Sequence, residues 1–336
     1  MKNEPHPKRD KNAKAYTAVV IGAGRIAAGF DTPESKAVLT HAHALSLDHK
    51  IKLAGFYDID LNKAREAGKT WSVKAFESLD GMMKEVRPDI VVICTPDPTH
   101  AEMLKRALDH KPRLVICEKP LTIRTDDSKD IVSQYKKAGI PLIVNYSRRF
   151  DETTRRLQDD LRKGKYGKVI SAVGAYSRGI LHNGSHMIDW ARFLFGESRQ
   201  IKALGGYNDY DSADITVSGF LVFERCPEFH LIAADGRCYS LFELEVIAEK
   251  GRIRLIDSGS MIEAQDRIDD PAYKGFTTLS QAKQSPTHLS QALVRLYGHV
   301  AAHLESGEAL ISSGEEALRT QEICQTLLDQ YRALDK

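Results

Sequence analysis

The clearest chemical reading belongs to the run Gly22–Ala23–Gly24–Arg25–Ile26–Ala27, spaced as GxGxxA. The first glycine permits a tight turn, and the second lets backbone approach a pyrophosphate. The alanine allows a helix to pack closely on a sheet. Phosphates would sit on the free N–H groups of the helix opening here, at Arg25 and Ile26. Asp58 closes a later apolar run and can accept hydrogen bonds from ribose hydroxyls. Asp60 adds a second negative charge, and no Arg follows at once. A 2′-phosphate would meet repulsion there, which favours NAD over NADP. Asp58 could instead cap the next helix, but Asp60 is the better placed cap.

A glycine-rich turn is weak by itself and gains force from the elements around it. Apolar, β-branched runs at Thr17–Ile21, Leu53–Tyr57, Ile90–Cys94, Leu114–Cys117 and Pro141–Val144 read as strands. Amphipathic stretches at Leu61–Gly68, Glu77–Val86, Thr99–His110 and Asp126–Ala138 read as the helices between them. Strands apolar on both faces and separated by helices predict a doubly wound parallel sheet over residues 16–150.

Asp58 lies well beyond the ~20 residues usual after such a fingerprint. The surplus is Ala28–Leu39, where Gly29 and Pro33 should stop the first helix after one turn, with Thr40 as the N-cap where it resumes. Phe30 and Asp31 give this insertion an apolar and a polar group. The expectation is a flap over the substrate entrance; the alternative is a neutral surface bulge.

Beyond Phe150 the texture changes. One helix, Glu152–Arg162, leads into closely spaced strands at Lys168–Tyr176, Ile201–Tyr207, Ile215–Phe223, Phe229–Ala234, Leu241–Ala248 and Arg252–Ile256. Short connections predict a mostly antiparallel sheet in an α+β domain over 151–336. Glu249–Lys250–Gly251 reads as a hairpin turn with Gly251 at positive φ. Asp266–Ser285 reads as a polar surface loop, followed by helices His288–Ser306 and Gly314–Leu334 that can pack back on the first domain.

Composition narrows the function classes. In 336 residues, Lys+Arg 48 against Asp+Glu 46 leave a net charge of +2, so no basic field points to nucleic acid or an anionic membrane. No apolar run approaches the ~20 residues of a membrane span. Five cysteines without a CxxC predict reduced thiols. Residues 1–15 are charged and read as a disordered lead-in rather than a signal peptide, so the expected location is the cytoplasm.

Further motifs complete a pattern: Thr95–Pro96–Asp97–Pro98–Thr99–His100, Glu118–Lys119–Pro120, Asn145–Tyr146–Ser147–Arg148–Arg149–Phe150 and Gly184–Ser185–His186–Met187–Ile188–Asp189. With the glycine fingerprint, the ordered set resembles the Gfo/Idh/MocA oxidoreductases, whose namesakes are glucose–fructose oxidoreductase and inositol 2-dehydrogenase. The resemblance implies a Rossmann domain, a C-terminal sheet that also makes oligomer contacts (a dimer or tetramer), and a cleft for nicotinamide and a sugar-type substrate. It places Thr95, Pro96, His100, Glu118 and Lys119 at the cofactor, with a cis bond before Pro120. Lys119 also contacts substrate, and His186 is the acid/base. Physical chemistry supports the residue types: imidazole titrates near working pH, and an ammonium stabilises a developing alkoxide. Tyr146, Arg148, Arg149, His182 and Asn183 are the candidates for holding substrate.

One departure stands out. Dehydrogenases of this family often carry Asp four residues before the histidine; here that residue is His182. Imidazole cannot neutralise Lys119 as a carboxylate does. His182 and His186 are four apart, but no third ligand is evident, so no metal is expected. The run from Ser177 to His186 looks like the branch found in nucleotide-sugar and surface-polysaccharide pathways. The leading reading is an NAD-dependent dehydrogenase of a sugar or sugar derivative. The alternatives are a glycosidase that oxidises transiently through NAD and a dinucleotide-sensing regulator.

Overall fold

The computed structural model describes residues 15–334, so the expected lead-in lies outside the described residues except for Ala15. Two packing units result. One runs to Phe150 and includes Ser290–Leu318; the other comprises Asp151–Leu289 and the chain from Arg319.

The first unit holds strands β1 (Tyr16–Ile21), β2 (Ile51–Tyr57), β3 (Lys74–Phe76), β4 (Ile90–Ile93), β5 (Leu114–Cys117) and β6 (Leu142–Val144). All pair in parallel, in the order β3-β2-β1-β4-β5-β6. The direction of winding reverses between β1 and β4, the switch point where such sheets bind ligands. Val19, Ile21, Val91, Ile93 and Val115 are fully buried in this core, as a sheet covered on both faces requires.

Helices α1 (His41–Ser46), α2 (Leu61–Thr70), α3 (Leu79–Val86), α4 (His100–Asp109) and α5 (Thr125–Ala138) follow the strands. Their starts were legible: Thr40 accepts from the His43 N–H, and Asp60 from that of Asn62. The fingerprint helix is a single five-residue π-helical turn over Arg25–Gly29, ending where expected. The chain then crosses to Thr40 without regular structure, as Gly29 and Pro33 suggested.

The second unit carries α6 (Glu152–Arg162), β7 (Val169–Tyr176), α7 (Ser185–Phe195), β8 (Ser198–Asp211), β9 (Asp214–Phe223), β10 (Cys226–Ala233), β11 (Phe242–Ala248), β12 (Gly251–Ile256), β13 (Met261–Asp269), β14 (Thr277–Leu279) and β15 (Lys283–Pro286). The order is β14-β13-β12-β11-β7-β10-β9-β8, with β15 on β13. Only β7 and β10 pair in parallel; the sheet is mixed and mostly antiparallel. Trp190, Phe195, Phe223 and Phe229 fill its core. The closing helices are α8 (Ala292–Ser306) and α9 (Gly314–Leu334).

Two expectations are corrected. Gly251 has no positive φ. It opens β12 opposite Ala248, and a Cβ there would sit 2.4 Å from the Gln265 carbonyl oxygen, so close strand approach demands the glycine. The loop expected over Asp266–Ser285 contains the end of β13, all of β14 and part of β15. An edge strand open to water needs only its backbone ladder, so no apolar alternation marked it.

Candidate active site

The first unit brings the dinucleotide motifs to the carboxyl ends of β1, β2, β4, β5 and β6. Gly22 has φ of +91°, and a Cβ on it would lie 2.7 Å from the Cys94 carbonyl. A Cβ on Gly24 would meet nothing within 4 Å, which leaves room for a phosphate. Arg25 is exposed, Ile26 half-buried, and Ala27 fully buried. Asp58 reaches this turn from β2, accepting the Ala23 N–H at 2.7 Å on one oxygen and the Asp60 N–H at 2.9 Å on the other. A carboxylate has about four acceptor positions, so two remain for ribose hydroxyls.

The loop after β4 carries Thr95 and Pro96, and its Thr95 Oγ1 is buried without a hydrogen-bond partner. His100 is fully buried. Its Nδ1 lies 2.7 Å from the Pro120 carbonyl and its Nε2 2.9 Å from that of Thr95. Both ring nitrogens are committed, so His100 ties two loops together and offers a ligand no polar atom; its expected cofactor contact is corrected. The peptide before Pro120 is cis. Glu118 Oε1 accepts from Asn145 Nδ2 at 2.7 Å and lies 2.8 Å from His41 Nε2. Burial presses its carboxyl toward the neutral form, but His41, Asn145 and Lys119 outweigh that and hold it below the ordinary range.

A nicotinamide dinucleotide fits these residues. The turn at Gly24 is open, and Thr95 Oγ1 and Asn145 Oδ1 are buried polar atoms with no hydrogen-bond partner. Such groups are costly unless a ligand or water satisfies them.

Three expected substrate contacts fall elsewhere. Tyr146 is 2% exposed and packs in the core. Arg149 is 3% exposed; it donates to the Ile311 carbonyl at 2.7 Å and pairs with Glu316 at 3.2 Å, anchoring the returning segment. Asp31, the expected polar contact of the flap, is 8% exposed. It accepts from the Leu39 N–H at 2.6 Å and the Thr40 hydroxyl at 2.5 Å, and lies 2.9 Å from His43 Nδ1. It clamps the insertion onto α1. Phe30 is 53% exposed and Arg148 half-buried.

In the second unit, His186 stands at the second position of α7, half-buried. The preceding turn is built by two carboxylates that sequence reasoning missed. Asp214 accepts the N–H groups of Leu181 at 2.8 Å and His182 at 2.9 Å. Asp209 accepts the Arg178 N–H at 2.9 Å, helping to hold Arg178 at φ of +68°. The His182 ring stacks on Tyr210 at 4.8 Å, and Asn183 donates to the Ser177 carbonyl at 2.9 Å. The signal for Asp214 was available only as an acidic residue opening a strand, with nothing to show that it folds back on residues 181–182.

No helix among the described residues is long and apolar enough to cross a membrane. Residues 16–146 match the model of the oxidoreductase family with the NAD-binding Rossmann fold. Myo-inositol 2-dehydrogenase of Thermotoga maritima is 28% identical over 193 residues, 53% of this chain and 54% of that protein. D-apiose dehydrogenase of Paraburkholderia graminis is 26% identical over 83% of this chain and 81% of its own. The chain spans about half to two thirds of the first curated relatives it matches. An oxidoreductase from Agrobacterium radiobacter, solved with NAD+, L-tartaric acid and magnesium, shares the fold at TM-score 0.75 and 18% identity, over 95% of this chain and 97% of that one. So does a 3-ketoreductase from Actinomadura kijaniata, solved with NADP and TDP-benzene, at TM-score 0.73 and 16% identity over 94% and 98%. Residues 16–146 are thus an NAD-binding Rossmann domain of the Gfo/Idh/MocA oxidoreductase type.

Proposed function

We propose that the protein is an NAD-dependent dehydrogenase acting on a carbinol of a sugar or sugar derivative, nucleotide-linked substrates included. The observation that carries this is the dinucleotide crevice: a positive-φ Gly22, an open Gly24 and Asp58 drawn onto the same turn. Asp58 is the ribose acceptor, and its charge with that of Asp60 disfavours a 2′-phosphate. The nicotinamide ring, when bound, supplies the hydride acceptor or donor. His186 takes the carbinol proton, and Lys119 steadies the developing alkoxide by its charge. Arg148, His182 and Asn183 remain candidates for orienting substrate, the stacked His182 ring through its edge.

We also propose that a second copy of this chain covers the open face of the mixed sheet, where Ile170, Ile232 and Ile247 are exposed on neighbouring strands. Light scattering should then report a dimer or tetramer; a monomer would remove that part. The activity is tested with a panel of polyols, sugars, sugar acids and nucleotide sugars, offered with NAD or NADP and followed by nicotinamide absorbance. Net NADH formation with a member of the panel is expected. Binding of NAD without redox change on any member would favour a sensing role.

A further inference from the structure

The first unit holds a hydrogen-bonded chain that this reading leaves unused. The Tyr297 hydroxyl lies 2.6 Å from His41 Nδ1, and His41 Nε2 lies 2.8 Å from Glu118 Oε1. Asn145 Nδ2 donates to the same oxygen at 2.7 Å. His41 and Tyr297 are fully buried, and Asn145 is 5% exposed.

The following arrangement of protons satisfies this chain. Burial pushes the Tyr297 phenol well up, so it keeps its proton and donates to Nδ1. Nε2 of the imidazole then donates its proton to Glu118. Two donors meet on Oε1, so that oxygen accepts as part of a carboxylate. Oε2 takes no hydrogen bond among the described residues, and Asn145 Oδ1 is buried without one.

We propose that His41 is a positioning residue that holds Glu118 as a fixed carboxylate beside Lys119, leaving Glu118 Oε2 and Asn145 Oδ1 to accept hydroxyl or amide donors of the dinucleotide's nicotinamide half. The acceptor role rests on the dinucleotide reading above. Glu118 thereby supplies a negative charge at the position next to Lys119. The titratable groups facing Glu118 are His41, Lys119, Tyr297, Cys94 and Cys117. Burial pushes both thiols well up, so they stay neutral and leave His41, Asn145 and Lys119 as the groups that hold its charge.

The test compares wild type, His41→Leu, His41→Gln, Glu118→Gln and the His41→Gln/Glu118→Gln double variant from about pH 5 to about pH 8. NAD affinity is read by calorimetry, and thermal unfolding is read without ligand. Wild-type affinity should be nearly flat with pH. In His41→Leu it should fall at least about tenfold toward the acid end, because Glu118 now protonates at a higher pH. His41→Gln, which keeps a donor, should stay within about threefold of wild type throughout. The unliganded His41→Leu protein should lose most melting temperature at neutral pH and least in acid, where Glu118 is neutral anyway. An unchanged pH dependence in His41→Leu, or equal losses in the Leu and Gln variants at every pH, would overturn the proposal. If His41→Leu does not fold, the cycle between His41→Gln and Glu118→Gln decides, and additive effects would refute the coupling. Absence of NAD and NADP binding in wild type would remove the dinucleotide reading and the acceptor role. The pH dependence of unfolding would still decide whether His41 holds Glu118.

Discussion

Asp58 accepts the backbone N–H of Ala23 at 2.7 Å, which fastens the acidic end of β2 to the glycine turn after β1. One carboxylate therefore shapes the phosphate-binding turn and stands where the cofactor's ribose is expected.

Replacing Asp58 by Ala should act on both roles. Losing a hydrogen bond to a charged group costs about 1.5–3 kcal/mol, or roughly 10- to 150-fold in NAD affinity. NADP should lose less, because its 2′-phosphate no longer faces the carboxylate. Titrations with both cofactors read the ratio. A wild-type protein that binds NADP as tightly as NAD would refute the ribose assignment.

His186→Ala should lower turnover by roughly 10²–10⁴-fold, the usual worth of a positioned acid/base, with NAD affinity nearly intact. Lys119→Ala should reduce both kcat and substrate affinity, since its charge acts in ground and transition states alike. Steady-state kinetics with calorimetry separates the two. Full turnover in the His186 variant would exclude it from the chemistry.

Asp31→Asn should destabilise the first unit by about 1–3 kcal/mol at neutral pH, through a buried acceptor set that the amide satisfies only in part. Burial raises the Asp31 pKa, but Thr40, the Leu39 N–H and His43 together lower it below its ordinary value. A carboxyl with a depressed folded pKa contributes stability above its unfolded pKa and loses it as pH falls. The gap in melting temperature between wild type and Asp31→Asn should therefore be widest near neutrality and close in acid. A gap independent of pH would show that Asp31 is not ionised in the clamp.

Gly179→Ala tests the turn before His186. Gly179 has φ of +78°, and a Cβ on it would lie 2.1 Å from Asp214 Oδ2. Alanine must displace the carboxylate that holds the Leu181 and His182 N–H groups. A loss above about 1 kcal/mol of stability is expected, with reduced turnover. Wild-type values for both would mean that the turn tolerates other shapes.

The sequence was informative wherever a residue type has one local use. Gly22 needed a positive φ, Ala27 a close helix contact, and Thr40 and Asp60 the start of a helix; each is settled within a few residues of chain. Tyr146, Arg149 and Asp31 carry polar groups that suit a ligand equally well, and only tertiary packing spends them on the core, on Glu316 and on His43. The partners of Glu118 come from α1 and from the end of β6, so no local pattern announces them. Strands β14 and β15 escaped notice because exposed edges carry no apolar period.

Isotope transfer tests the central claim most directly. A substrate found in the panel would be prepared with deuterium on its reacting carbon and mixed with NAD and the protein. The account predicts one deuterium on the nicotinamide ring for each oxidised product, and loss of this transfer in His186→Ala. Reduced cofactor without deuterium, or label that always returns to the sugar with no net NADH, would contradict a dehydrogenase.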